Sequence, residues 1–306
     1  LQLDPANPET MHHYAVVLGD LGRYRDALAS LDRSLALKPD DVKAIGDRIE
    51  CLRALHRHEE AAVALERLLA LAPDGDYAQG NLFDSRAHCC DWAAYAARAQ
   101  ALVQAVTAGR KADSPFSFLA VTASAAAQRV CAQTYAADKY PASVTPLWTG
   151  IPYSHDRIRV AYVSADFREH PVSYLMTGVF ERHDRRRFEI TGVSLRPDDG
   201  NPASRRVRTA LGNVVDAFGK TDAEIAALLR DRQIDIAVDL MGHTLHNRTA
   251  VFAHRPAPVQ VNYLGFPGTM GAPYMDYLIA DPVVVPPGQQ AYYTESIAYL
   301  PDCFQA

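Results

Sequence analysis

The sequence predicts a multidomain chain, α then α/β: stacked helical repeats followed by a doubly wound, mostly parallel sheet. Three observations predict it. A 34-residue self-similarity runs through residues 1–73, and short β-branched runs alternate with helical patterns from residue 156 onward. The third is length, since 306 residues exceed one ordinary core.

Sliding the chain on itself by 34 aligns Leu3, Leu37 and Leu71, and likewise Pro5, Pro39 and Pro73. Inside the units Leu18 pairs with Leu52, Ala27 with Ala61, Leu31 with Leu65 and Leu35 with Leu69. Two apolar helical stretches around a Leu-Gly-Arg-Tyr turn make each unit a helix pair. Small Ala27 and Ala61 allow close helix approach, and Pro39 and Pro73 fall just past helix ends, where a missing N–H is harmless. A degenerate third unit follows, with Trp92 in the register of Tyr24 and His58, and Tyr95 where the small alanines stood. It reads as a capping repeat or a domain contact.

Residues 1–106 are therefore assigned to the repeats and 107–155 to a helical connector, with a helix start at Ser114-Pro115 and an Ala-rich helical stretch towards Tyr135. Pro141, Pro146 and Pro152 forbid a continuous helix and set the expected domain boundary. Residues 156–306 form the sheet domain. Strands are expected at Ile158–Ser164, Phe188–Leu195, Asn213–Ala217, Ile234–Leu240, Val259–Leu264, Tyr277–Ala280 and Ile297–Leu300. Helices are expected at Val172–His183, Pro202–Leu211, Ala223–Arg230 and Asn247–His254.

Composition excludes several classes. A net charge of −5 with scattered basic residues is no footprint for nucleic acid. The uncharged stretch 114–128 contains Ser, Thr and Gln and is too short for a membrane span, and no signal peptide opens the chain. Five cysteines without paired spacing fit neither a disulfide framework nor a zinc site, so a reducing cytoplasm suits the chain. No G-x-G-x-x-G, P-loop, G-x-S-x-G or H-E-x-x-H occurs, which argues against a nicotinamide cofactor and a metal.

Polar residues gather instead at strand ends. Ser164, Asp166 and His170 follow the first strand, Asp239-Leu-Met-Gly-His243 another, and Leu264-Gly-Phe-Pro-Gly-Thr-Met-Gly271 a third. In a parallel sheet these turns share one edge, the edge where ligands bind. His170 is the first functional candidate there. Gly265, Gly268 and Gly271 would let backbone approach a hydroxyl-rich ligand, or are ordinary turn glycines.

The ordered set Val163-Ser-x-Asp-Phe-x-x-His-Pro171, Pro197-Asp-Asp-Gly200, Asp239-Leu-x-Gly-His-Thr244, Arg255-Pro-Ala-Pro-Val-Gln260, Gly265-Phe-Pro-Gly-Thr-x-Gly271 and Asp276-Tyr-x-x-x-Asp281, preceded by tetratricopeptide-like repeats, resembles glycosyltransferase family 41. That family comprises the protein O-GlcNAc transferases and their SPINDLY-type relatives, and the likeness here is to a bacterial form. The resemblance implies a GT-B enzyme in which this chain supplies the repeats and the Rossmann-like N-terminal lobe. The C-terminal lobe would lie beyond Ala306, so the chain alone is expected to be inactive. It further implies inverting, metal-independent transfer of GlcNAc from UDP-GlcNAc to Ser or Thr of protein or peptide acceptors held in the repeat groove. A SPINDLY-like O-fucosyltransferase, an N-glucosyltransferase and a non-catalytic repeat scaffold are the alternatives. By motif, His170 corresponds to a proposed general base and Asp166 to its orienting carboxylate. Pro171, Tyr174, His243, Arg248, Gly265, Phe266, Pro267 and Gly268 fall on the substrate side. His13 and Asp47 stand where animal repeats carry asparagines.

Overall fold

A computed structural model describes residues 7–306, so Leu3 and Pro5 lie outside the described residues. The chain divides into two compact units, one ending at Thr122 and the other formed by Ala123–Ala306. Each is built by a different rule.

In the first unit the period becomes helix pairs: α1 (Pro8–Asp20) with α2 (Tyr24–Leu37), and α3 (Val42–Ala54) with α4 (His58–Leu71). Asn7 and Asp41, one period apart, cap α1 and α3 by accepting backbone N–H bonds, worth about 1 kcal/mol each. Ala27, Ala44, Ala61, Leu31 and Leu52 have no accessible surface, so the alanines set the helix separation and the leucines fill it. The third pair, α5 (Ala78–His88) and α6 (Tyr95–Thr107), breaks the rule. Its second helix starts three residues later than the period demands, because Trp92 is left in the turn, 61% exposed and edge-on to Tyr95. A short α7 (Pro115–Phe118) closes the unit. Its lead-in lies on α5: Gly80 N–H donates to the Ala112 carbonyl at 2.8 Å, and buried Asp113 accepts from Ser117 Oγ at 2.5 Å. A Cβ on Gly80 would overlap the Asp113 carboxylate.

The second unit opens with α8 (Ala125–Lys139) and continues through β1 (Ile158–Ser164), α9 (Pro171–Arg182), β2 (Phe188–Ser194), α10 (Pro202–Leu211), β3 (Val214–Asp216), α11 (Asp222–Asp231), β4 (Ile236–Asp239), α12 (Thr249–Ala253), β5 (Val259–Tyr263), β6 (Tyr277–Ala280) and β7 (Ser296–Tyr299). One seven-stranded sheet runs β3-β2-β1-β4-β5-β6-β7, with every pairing parallel. Every turn that leaves a strand end therefore lies on one edge. Val160, Tyr162, Ile190, Val238 and Val261 form the sheet's buried stripe, joined by Met176 and Phe180 from α9. Centrality explains why β1 reads as the most apolar strand: it lies between β2 and β4 and is covered on both faces.

The Pro-rich stretch does not separate the units. Ser143, Leu147 and Trp148 donate backbone N–H bonds to Ala253, His254 and Arg255, which ropes residues 143–148 to the end of α12. The connector expected at 107–155 is thus shared, its first part in the repeat unit and its remainder in the sheet unit.

Candidate functional site

The turn after β1 is held from both sides. Asp166 N–H donates to Ser164 Oγ at 3.0 Å, and Ser173 Oγ on α9 donates to the Asp166 carbonyl at 2.6 Å. His170 is the N-cap of α9, with Pro171 at its first turn; extended backbone at His170 lets Nδ1 accept from Val172 N–H at 3.3 Å. The Asp166 side chain is nearly buried. Its Oδ1 accepts from Arg168 Nε at 3.1 Å and its Oδ2 lies 3.6 Å from His170 Nδ1. His170 keeps a third of its side chain open to solvent, with Nδ1 turned inward. Two settings of one ring nitrogen thus compete. When Nδ1 accepts from Val172, the neutral ring carries its proton on Nε2; when Nδ1–H faces Asp166, Nε2 is free to accept one.

The turn after β4 puts Asp239 against backbone, its Oδ1 accepting from Met241 N–H at 2.9 Å. Burial pushes the Asp239 carboxyl up to about 6. His243 is interior. Its Nε2 donates to the Met270 carbonyl at 2.9 Å, its ring packs among Tyr135, Tyr140 and Phe266, and burial pushes it down to about 4, so it is neutral at physiological pH. Phe266 is also fully buried, stacked under Gly268 and beside Gly242. These two side chains, placed by motif on the substrate side, build the floor of the edge and do not line it. Arg248 is tied to Asp222 and to the Lys220 carbonyl. Tyr174 is exposed, within 3.4 Å of Glu169, while Gly265 and Pro267 are half-exposed at the edge itself.

The glycines of the third turn serve the protein's own packing. A Cβ on Gly265 would overlap the Leu240 carbonyl, and one on Gly271, at φ +66°, would enter the backbone of α8 at Ala132 and Gln133. The expectation that they stand clear for a ligand is corrected accordingly: they bring loop 264–271 onto β4 and α8. A residue the motifs did not flag completes the clamp. Buried Glu295 accepts from Thr269 Oγ1 at 2.7 Å and Met270 N–H at 2.6 Å, and burial raises its carboxyl above the ordinary range. Other motif residues are structural too: Asp198 accepts from Gly200 N–H and Ser204 Oγ ahead of α10, and Asp276 pairs with Arg255 at 2.9 Å.

Among the described residues no group of three or more His, Cys, Asp or Glu side chains is arranged to hold a metal ion, and no helix is long and apolar enough to cross a membrane.

Helical repeats followed by a parallel α/β lobe with its polar turns on one edge define a glycosyltransferase-type architecture, consistent with one lobe of a GT-B fold. Residues 128–306 match glycosyl transferase family 41, and residues 20–82 match a tetratricopeptide repeat family. The chain belongs to glycosyl transferase family 41. It is 36% identical over 159 residues to the probable UDP-N-acetylglucosamine–peptide N-acetylglucosaminyltransferase SEC of Arabidopsis thaliana, covering 51% of this chain and 16% of that protein. To the UDP-N-acetylglucosamine–peptide N-acetylglucosaminyltransferase of Caenorhabditis elegans it is 37% identical over 149 residues, 48% of this chain and 13% of that one. A solved lysine-to-methionine mutant of the Thermobaculum terrenum O-GlcNAc transferase superposes with a TM-score of 0.65 at 30% identity, covering 100% of this chain and 53% of that one. The chain thus spans about half the solved relative and a smaller share of the curated ones.

Proposed function

We propose that this chain carries the acceptor-side lobe and repeat arm of an inverting protein O-glycosyltransferase that moves GlcNAc from UDP-GlcNAc to Ser or Thr. The observation that supports it is the His170–Asp166 pair, 3.6 Å apart at the mouth of the central strand. In the proposed reaction the acceptor hydroxyl oxygen attacks the anomeric carbon, the bond from that carbon to the diphosphate breaks, and UDP leaves with the bonding electrons. The hydroxyl proton passes to His170 Nε2. For that, Nδ1 must carry its own proton and face Asp166, so the ring gives up its bond from Val172 N–H on the way to the active tautomer. Loop 264–271, fixed by Glu295 and α8, leaves its strand on the same sheet edge, and Pro171 and Tyr174 follow His170 in the first turn of α9. The repeat unit would present the acceptor protein, and five cysteines without paired spacing suit a reducing cytoplasm.

Since the match covers 53% of the solved relative, these 306 residues by themselves are expected to turn over no sugar. Kinetics therefore belong to the full-length protein, with UDP-GlcNAc and with GDP-fucose as the sister donor. His170→Asn is the informative variant, because Asn caps a helix at least as well as His but cannot serve as a base. The expected loss is about 10²–10⁴-fold in kcat with donor affinity unchanged. Wild-type kcat in that variant would remove His170 from the chemistry.

A further inference from the structure

The strand order places β1 between β2 and β4, and Ser164 pairs with Ser194 while Val163 pairs with Asp239. The turns that leave these three strands are consequently level and adjacent. They bring together Arg168 from the first, Arg196 from the second and His246 from the third, around the Asp166 carboxylate. Arg168 Nε is 3.1 Å from Asp166 Oδ1. Arg196 is anchored at its root, since Leu195 N–H donates to the Ser164 carbonyl at 2.9 Å, yet among the described residues its guanidinium has no carboxylate or carbonyl partner. His246 feels both arginines: burial, then Arg196 and Arg168, lower its proton affinity, with Asp166 opposing. Glu169, exposed on the far side of the turn, is directed to Tyr174.

The charges decide the ligand. Arg168 and Arg196 both act on His246 beside one carboxylate, Asp166, which Arg168 and His170 already share, and burial and the two arginines hold that imidazole towards its neutral form. One positive charge is left over. A diphosphate would bring several negative charges to a single spare positive one beside Asp166, and this turn has no glycine-rich loop of free N–H groups to cradle it. A carboxylate brings one charge and fits a guanidinium fork. We propose that Arg196, with Arg168 and His246 beside it, forms a subsite for an Asp or Glu carboxylate of the acceptor protein close to the hydroxyl that is modified. Exposed Leu245, adjacent to His246, gives the acceptor's aliphatic stem a surface to cover. The proposal rests on reading this edge as the acceptor side.

Its test does not require sugar transfer. Two short fluorescein-labelled peptides, each with a central Ser and differing only by Asp or Asn two positions away, are titrated with the 306-residue chain, and binding is read by anisotropy. The Asp peptide is expected to bind about tenfold more tightly at about 50 mM NaCl, the difference shrinking to less than about twofold at about 500 mM. Arg196→Gln should abolish the preference, whereas Arg186→Gln, at a side chain that is 91% exposed and precedes the opposite end of β2, should keep it. Equal binding of the two peptides, no measurable binding of either, or a preference that survives Arg196→Gln each overturns the subsite. Any of these leaves the glycosyl-transfer reading to the His170→Asn kinetics; a carboxylate preference without sugar transfer by the full-length protein would instead sink that reading and keep the subsite.

Discussion

The two units solve opposite problems with the same residue types. In the repeat unit, neighbours in space are one helix or one period away, so alanines at fixed spacing set the packing and the turn between paired helices stands open: a Cβ on Gly22 meets nothing within 4 Å. In the sheet unit, neighbours in space are distant in sequence. Gly271 is pressed onto α8, more than a hundred residues earlier, and His243 bonds to Met270 across the edge. Gly22 is a local conformational choice; Gly271 is a tertiary contact. Buried ionisable groups differ in number instead: the repeat unit buries the acid Asp113, whereas the sheet unit buries Asp239 and Glu295 as well as the imidazole of His243.

Gly271→Ala is the harshest way to probe that contrast. It combines a left-handed φ with overlap against helix backbone that cannot yield, and should destabilise the sheet unit by about 4 kcal/mol or leave it unfolded. Urea denaturation followed at the second unit measures it. A loss below about 1 kcal/mol would show that loop 264–271 is free to lift from α8.

The pH dependence separates two buried groups, one in each unit, by sign. The His243 imidazole is depressed to about 4 from an ordinary 6.5, so its contribution is fully present above 6.5 and is lost as pH falls through 4; the loss is about 3 kcal/mol over that window. Asp113 is raised to about 7 from an ordinary 3.8 by burial, so its contribution is present below 3.8 and is lost as pH rises through 7. Variants isolate each term: the stability of Asp113→Asn relative to wild type should improve from pH 5 to pH 8 by roughly 2–4 kcal/mol. The relative stability of His243→Gln should instead improve as pH falls. Matching slopes for the two variants would contradict the buried placement of one of them.

Gly22→Ala should matter least. Its φ of +72° costs an L-residue about 1–2 kcal/mol, with no steric addition. A penalty as large as that of Gly271→Ala would mean that repeat turns are packed as tightly as the sheet edge.

The same contrast explains what could be read early. Helix pairs α1 to α4, strand β1 and helix α10 were legible because each declares itself within a dozen residues, through apolar spacing, an Asn or Asp cap, or a proline at the first turn. The third repeat was legible only as irregular; nothing local says that Trp92 stays in the turn and delays α6 to Tyr95. At the site, Asp166 and His170 could be found because four residues at a strand-to-helix turn carry both. Arg196, His246 and Glu295 could not, since each joins the edge from a different turn, and no spacing in the chain links 168 to 196 or 270 to 295.

What the sequence by itself determined is the order of the two architectures and the edge on which polar turns must gather, because period and strand alternation are properties of neighbouring residues and parallel pairing puts every strand end on one side. Tertiary structure alone decided which of those turn residues face outward. His243 and Phe266 were drawn inward because loop 264–271 had to settle on α8 and needed a ring and an N–H donor to its Met270 carbonyl beneath it, while Arg168 and Arg196 stayed at the rim because burying a guanidinium beside another without a second carboxylate is too costly.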